Sequence, residues 1–181
     1  MCGTNTKLGI YLESGSHLRT KAIDVNHRLS HLAASANLAS TAREPLGLAF
    51  GLACASRVQH LLEDPQAIEC LATLQAFVDG TADRATLDEA REVIAKVANS
   101  HRGSNSIDGT AHAAVSATYA VANALAGRAL DAASYAAYAT VYAYGGYAVN
   151  DPQSFEAEFA WQVERFRELA GLDVVAAAIS A

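Results

Sequence analysis

Twice in this chain an Asp-Pro pair stands directly ahead of a run whose apolar residues recur every three or four positions: Asp64-Pro65 and Asp151-Pro152. An Asp side chain caps a helix by accepting a hydrogen bond from a first-turn N–H. Pro suits the first helical position, where its missing N–H would have no partner anyway. The pattern between such signals is helical throughout. A first helix is expected from about Thr20 to Ala42, with Val25, Leu29, Leu32 and Ala36 inward. A second runs from Pro45 to about Leu62 on Leu48, Leu52, Val58 and Leu61, and a third follows Asp64-Pro65 with Ile68, Leu71, Leu74, Phe77 and Val78 inward until Asp79-Gly80. Thr86 and Glu89 have the spacing of a capping box for a fourth helix built on Leu87, Ala90, Ile94 and Val97. Two Ala-rich helices are expected at Thr110–Leu125 and Asp131–Tyr144, the second ended by Gly145-Gly146. The last helix opens at Asp151-Pro152, carries Phe155, Phe159, Val163, Phe166 and Leu169, and ends at Gly171.

No alternating run bounded by hairpin turns competes with this pattern. The expected fold class is all-α: a multi-helix bundle of about six or seven helices with a loosely structured N-terminal arm. The arm covers residues 1–19, the segment Asn99–Gly109 reads as a loop, and Val174 to Ile179 as a short apolar tail. At 181 residues the chain suits a single domain, which buries roughly 70% of its unfolded surface and needs no disulfide or metal to fold. Alanine at most contact positions lets helix axes approach closely.

Hydrophobic residues make up 51% and charged residues 18%, which excludes disorder. A net charge of -6 argues against nucleic acid, which needs clustered Lys and Arg, and would steer a basic partner inward. Cys2, Cys54 and Cys70 form no CxxC pair, so free thiols in a reducing cytosol are expected, the last two buried. Met1 to Ile10 is polar and lacks the apolar segment of a leader. The Ala-rich stretch from Ala111 to Val149 is broken by polar groups and reads as core, not as a membrane span. The expected location is cytoplasmic.

Four constellations bear on chemistry. Asp24, His27 and His31 share one helical face, as a metal ligand set requires, but the face lies away from the apolar stripe and no fourth ligand follows by spacing. It reads as a solvated polar face, and no metal or other cofactor is expected. Met1-Cys2-Gly3 matches the opening of N-terminal-cysteine amidotransferases, whose β-rich body is missing here, so the match is read as coincidence. Glu156, Glu158, Glu164, Arg165, Arg167 and Glu168 read as the solvated face of the last helix, and His60 as a favourable charge near the end of the second. The fourth constellation carries most interest. His112, Ser116, Tyr119 and Asn123 make one stripe on the first Ala-rich helix, and Asp131, Tyr135, Tyr138 and Tyr142 repeat that rhythm on the next. Tyrosine joins apolar area to a hydroxyl, which favours interfaces, although such stripes also fill bundle cores. No P-loop, GxSxG, HExxH or GxGxxG motif is present, and Cys54 has no evident His partner.

The segments LATLQAFVDG, ATLDEARE, AHAAVSATYAVANAL, AASYAAYA and FAWQVERF resemble a family of helical immunity proteins from bacterial polymorphic-toxin systems. They cover just over half of the chain, from Leu71 to Leu169. This chain departs from the family pattern at Tyr119 and Asn123, where further histidines are common, and in the length of the loop Asn99–Gly109. The resemblance implies binding and neutralisation of a cognate protein toxin, without catalysis. A second reading is a small-molecule-binding protein or enzyme of a biosynthetic or self-resistance pathway, with a pocket between the Ala-rich helices and His112 as acid or base. A third is a structural homo-oligomer.

Overall fold

The computed structural model describes residues 26–100 and 110–172, and among these it contains seven α-helices and no strand. They are α1 (His27–Ser35), α2 (Glu44–Arg57), α3 (Pro65–Val78), α4 (Arg84–Ser100), α5 (Thr110–Leu125), α6 (Ala129–Tyr144) and α7 (Glu156–Ala170). The expected arm, the apolar tail and Val25, together with Asp24 and Cys2, lie outside the described residues, as does most of the expected loop before α5. No helix among the described residues is long and apolar enough to cross a membrane.

The bundle is built around α2. Its Phe50, Cys54 and Ala55 are fully buried, and it packs against α3, α5, α6 and α7. Phe50 meets Phe166 of α7 edge to face, with ring centres 5.1 Å apart. Gly51 lies where α2 crosses α5: a Cβ there would stand 3.1 Å from Ala124 Cα. The missing side chain is what admits the two backbones to this distance. The most extensive packing joins α5 and α6, which run antiparallel and whose buried residues are mostly alanine, among them Ala117, Ala120, Ala132 and Ala136. Alanine burial is weak per residue, but it leaves the axes close and the fit tight.

Helix limits differ from expectation where a local bond wins over periodicity. α1 stops at Ser35, well before Ala42, because Asn37 takes a left-handed conformation (φ 53°) and Leu38 N–H reverts to the Ala33 carbonyl at 3.0 Å. Asn is among the few non-glycine residues that accept this region. α2 ends at Arg57, and the stretch expected to finish it, His60 included, forms a separate 3-10 turn at Gln59–Leu61. α4 is capped by Asp83, not Thr86: the Asp83 carboxylate accepts from Thr86 N–H at 2.9 Å and from its hydroxyl at 2.8 Å. Those bonds hold the Asp83 carboxyl below its usual range. α6 opens at Ala129, ahead of Asp131, and Asp151-Pro152 introduces a 3-10 turn, Pro152–Phe155, before α7 proper. Asp64 caps α3 as expected, accepting from Gln66 N–H at 2.8 Å.

The expected core is buried at Leu29, Leu48, Leu52, Val58, Leu71, Leu74, Leu87, Ala90, Ile94, Val97, Phe155 and Phe166. Ile68 and Val78 are corrections, being 49% and 37% exposed. The inward line of α3 runs through Ala67, Cys70, Leu71 and Leu74, and it leaves both residues to its side.

Candidate functional site

The two polar stripes meet. Because α5 and α6 are antiparallel, His112 stacks on Tyr142 with centres 5.1 Å apart and planes 27° from parallel, and Tyr119 stacks on Tyr135 at 5.1 Å and 23°. The same register sets position 116 opposite 138 and position 123 opposite 131. The stripes thus form one ladder along the α5/α6 groove. It spans about 16 Å from position 112 to position 123, at 1.5 Å rise per residue. Tyr138 continues the aromatic run sideways, tilted 6.1 Å from Tyr142 and edge-on to Phe155 at 5.3 Å. Phe155, with Ala137 and Val141, forms a second small core that anchors this end.

The ladder is neither sealed nor free. His112, Tyr119, Tyr135, Tyr138 and Tyr142 are half-buried, and Asp131 is exposed. Burial first, then the adjacent Tyr119 phenol, raises the Tyr135 hydroxyl above its ordinary pKa; burial and then Tyr138 do the same at Tyr142. Both stay neutral and able to donate at physiological pH. Ser116 and Asn123 depart from the expected contact surface. They are 8% and 4% exposed, and Asn123 Nδ2 donates to the Tyr119 carbonyl at 2.8 Å. They support the ladder from beneath and do not face outward.

One member of the charged face expected at solvent on α7, Glu158, is corrected by the structure, where it belongs to a buried polar network. Glu158 is 2% exposed and Gln162 1%. Glu158 Oε2 accepts from Arg57 Nε at 2.7 Å, and the Arg57 guanidinium lies 4.3 Å from the centre of the Trp161 ring. Gln162 Nε2 donates to the Ala133 carbonyl at 2.9 Å, while Asn26 Nδ2 donates to the Phe159 carbonyl at 3.0 Å. Asn26 Oδ1 also caps α1 through Leu29 N–H at 3.1 Å. The network ties α1, α2, α6 and α7. A signal for it existed: Glu158 and Gln162 fall on the helical line of Phe155 and Phe166, at spacings of three and four. Glu156, Glu164, Arg167 and Glu168 are exposed, as expected.

Nothing among these groups is arranged for nucleophilic chemistry. Cys54 is buried and its thiol is pushed far upward by desolvation, with Glu158 adding to the effect. Cys70 Sγ–H donates to the Ala90 carbonyl at 3.4 Å. His27 and His31 are exposed on α1, and no group of three or more potential metal ligands occurs among the described residues. Tyr119 lines a pocket of about 200 Å³ with Arg91, Asn99 and Arg128, between α4 and α5; His112 and Tyr138 are not part of its lining. No family model, curated protein or solved structure matches the chain.

Proposed function

We propose that this chain is a protein-binding module of immunity type, which neutralises a cognate toxin in the cytoplasm by covering its working surface. One observation carries this reading: two stacked ring pairs, His112/Tyr142 and Tyr119/Tyr135, half-buried along the α5/α6 groove of a helix pair whose buried residues are mostly alanine. Stacked aromatic side chains have little rotamer freedom left to lose, so binding through them costs little ordering entropy. Half-burial against alanine leaves part of each ring accessible, and the Tyr135 and Tyr142 hydroxyls stay neutral. The resemblance of the Leu71–Leu169 segments to helical immunity proteins supports the same reading. The surface charge favours rapid encounter with a basic partner. The small-molecule reading needs His112 in a pocket between α5 and α6; the pockets of about 440 Å³ beside Asp131 and about 200 Å³ beside Tyr119 do not include it, which gives that reading less support.

The test is rescue of growth. The reading predicts a toxin gene in the neighbouring reading frame: cells expressing that toxin should grow when this chain is co-expressed, and Tyr142→Ala should weaken rescue while helix content is unchanged. Tyr142 is the better probe because Tyr138 packs on the Phe155 core. Full rescue by variants along the whole ladder would overturn the reading. Light scattering of the isolated chain decides whether the face instead meets a second copy.

A further inference from the structure

Two tight turns meet where α1 ends, and a pocket lies beside them. α1 stops at Ser35, and beyond the left-handed Asn37 the chain bonds back from Leu38 N–H to Ala33. The α5–α6 turn is closed by Gly127 (φ 72°) and by Arg128 N–H, which donates to the Asn123 carbonyl at 2.9 Å. Gly47 of α2 sits against both turns: a Cβ there would stand 3.9 Å from Leu38 and 3.9 Å from the Gly127 carbonyl oxygen. Both turns are thus held by backbone bonds and packing before any ligand arrives. The pocket between α1 and the start of α6 measures about 440 Å³ and opens to solvent.

Its lining divides by chemistry. Ala33, Ala34, Leu38, Ala129 and Leu130 supply apolar wall. The Ser30 hydroxyl at the edge already donates to the Asn26 carbonyl at 3.1 Å. Arg128 and Asp131 are the charged residues of the lining, and both are exposed. Neither side chain makes a hydrogen bond or ion pair among the described residues. Opposite charges three positions apart at a helix start can pair directly. These do not, so a group carrying both charges can stand between them. Arg128 also borders the smaller pocket at Tyr119.

We propose that this pocket binds a free α-amino acid with an apolar side chain. Arg128 takes the carboxylate, which its planar guanidinium fork matches, and Asp131 takes the ammonium. The side chain lies against Ala33, Ala34 and Leu38. The volume falls within the roughly 300–1,000 Å³ usual for small-molecule sites. The site lies apart from His112, goes beyond the protein-binding reading and does not depend on it.

L-leucine, leucinamide, N-acetyl-leucine and glycine are the probes, titrated into the intact chain with backbone amide signals as the readout. L-leucine should give saturable shifts at Ala34 and across Gly127 to Asp131. Leucinamide lacks the carboxylate, N-acetyl-leucine the ammonium and glycine the side chain, and each should bind about tenfold or more weakly, the worth of one charged contact or one buried aliphatic group. Arg128→Gln should weaken L-leucine by about the same factor and leave leucinamide unchanged. Asp131→Asn should weaken L-leucine and leave N-acetyl-leucine unchanged. An acid in the first turn also favours the helix terminus, but that role would move the urea midpoint without this selectivity. No saturable shift in the pocket, equal binding of the three leucine forms, or variants that weaken every probe alike overturns the assignment.

Discussion

Gly51 and Glu158 show how much single positions decide in a bundle made largely of alanine. At Gly51 the α2 and α5 backbones are so close that a Cβ would meet Ala124 Cα at 3.1 Å, and the atom in the way belongs to a main chain. Gly51→Leu should therefore destabilise by about 2–3 kcal/mol or more through overpacking, read from the urea midpoint at unchanged slope. An unchanged midpoint would show that α2 can move off α5 at no cost. At Glu158 the relevant energy is that of a buried charge. Arg57→Met leaves a carboxylate at 2% exposure without its cation and should cost about 3 kcal/mol. Adding Glu158→Leu should recover most of that loss, because a buried pair is worth little more than well-packed apolar groups. A double variant no more stable than the single one would place the value of Glu158 in its contact with Gln162. Sequence pattern gave Glu158 to the solvent because it sits among Glu156, Glu164 and Glu168. Its helical line with Phe155 and Phe166 pointed inward, and burial followed the line.

Between elements, one carboxylate joins α2 to α4, and an arginine of α4 carries the link on to α5. Glu44 at the start of α2 receives both arms of Arg84 from α4 at 2.8 and 3.0 Å and lies 3.6 Å from Arg91. Arg91 in turn pairs with Asp88 and donates through Nε to the Leu125 carbonyl at the C-terminal end of α5. The Arg84 hydrogen bonds hold the Glu44 carboxyl below its ordinary pKa of 4.5 despite an opposing effect of burial. A depressed folded pKa gives stability that is present above pH 4.5 and lost as pH falls through the folded value. Glu44 is 38% exposed, so solvent screening keeps the contribution near about 0.5–1 kcal/mol. Glu44→Gln should show that deficit at pH 7 and none near pH 2, measured by urea unfolding at both. An equal deficit at both values would mean that the charge is not what matters. All seven helices were legible in sequence because apolar spacing and Asp-Pro punctuation agree. Their ends were less so. α1 ends early because Asn37 accepts a left-handed backbone, and α4 is capped by Asp83 because its carboxylate reaches Thr86 N–H. Such bonds leave no trace in periodicity.

At the scale of the molecule, a small-residue interior and a large-residue surface strip have been sorted onto opposite faces of one helix pair. The stripe residues were legible as two lines, since spacing alone places them on one face of each helix. Their pairing into rungs was not, because it depends on the antiparallel register of α5 and α6. Ser116 and Asn123 sat on the right lines but below the surface, an outcome fixed by how closely α5 and α6 approach. The most direct test of the account is the calorimetric affinity for the cognate toxin of a Tyr119→Ala/Tyr142→Ala chain, with Ile68→Ala on α3 as the control at an exposed hydrophobic site off the α5/α6 pair. A loss of tenfold or more, about 1.4 kcal/mol, is expected for the double variant and none for the control. Equal affinity for all three proteins would contradict it.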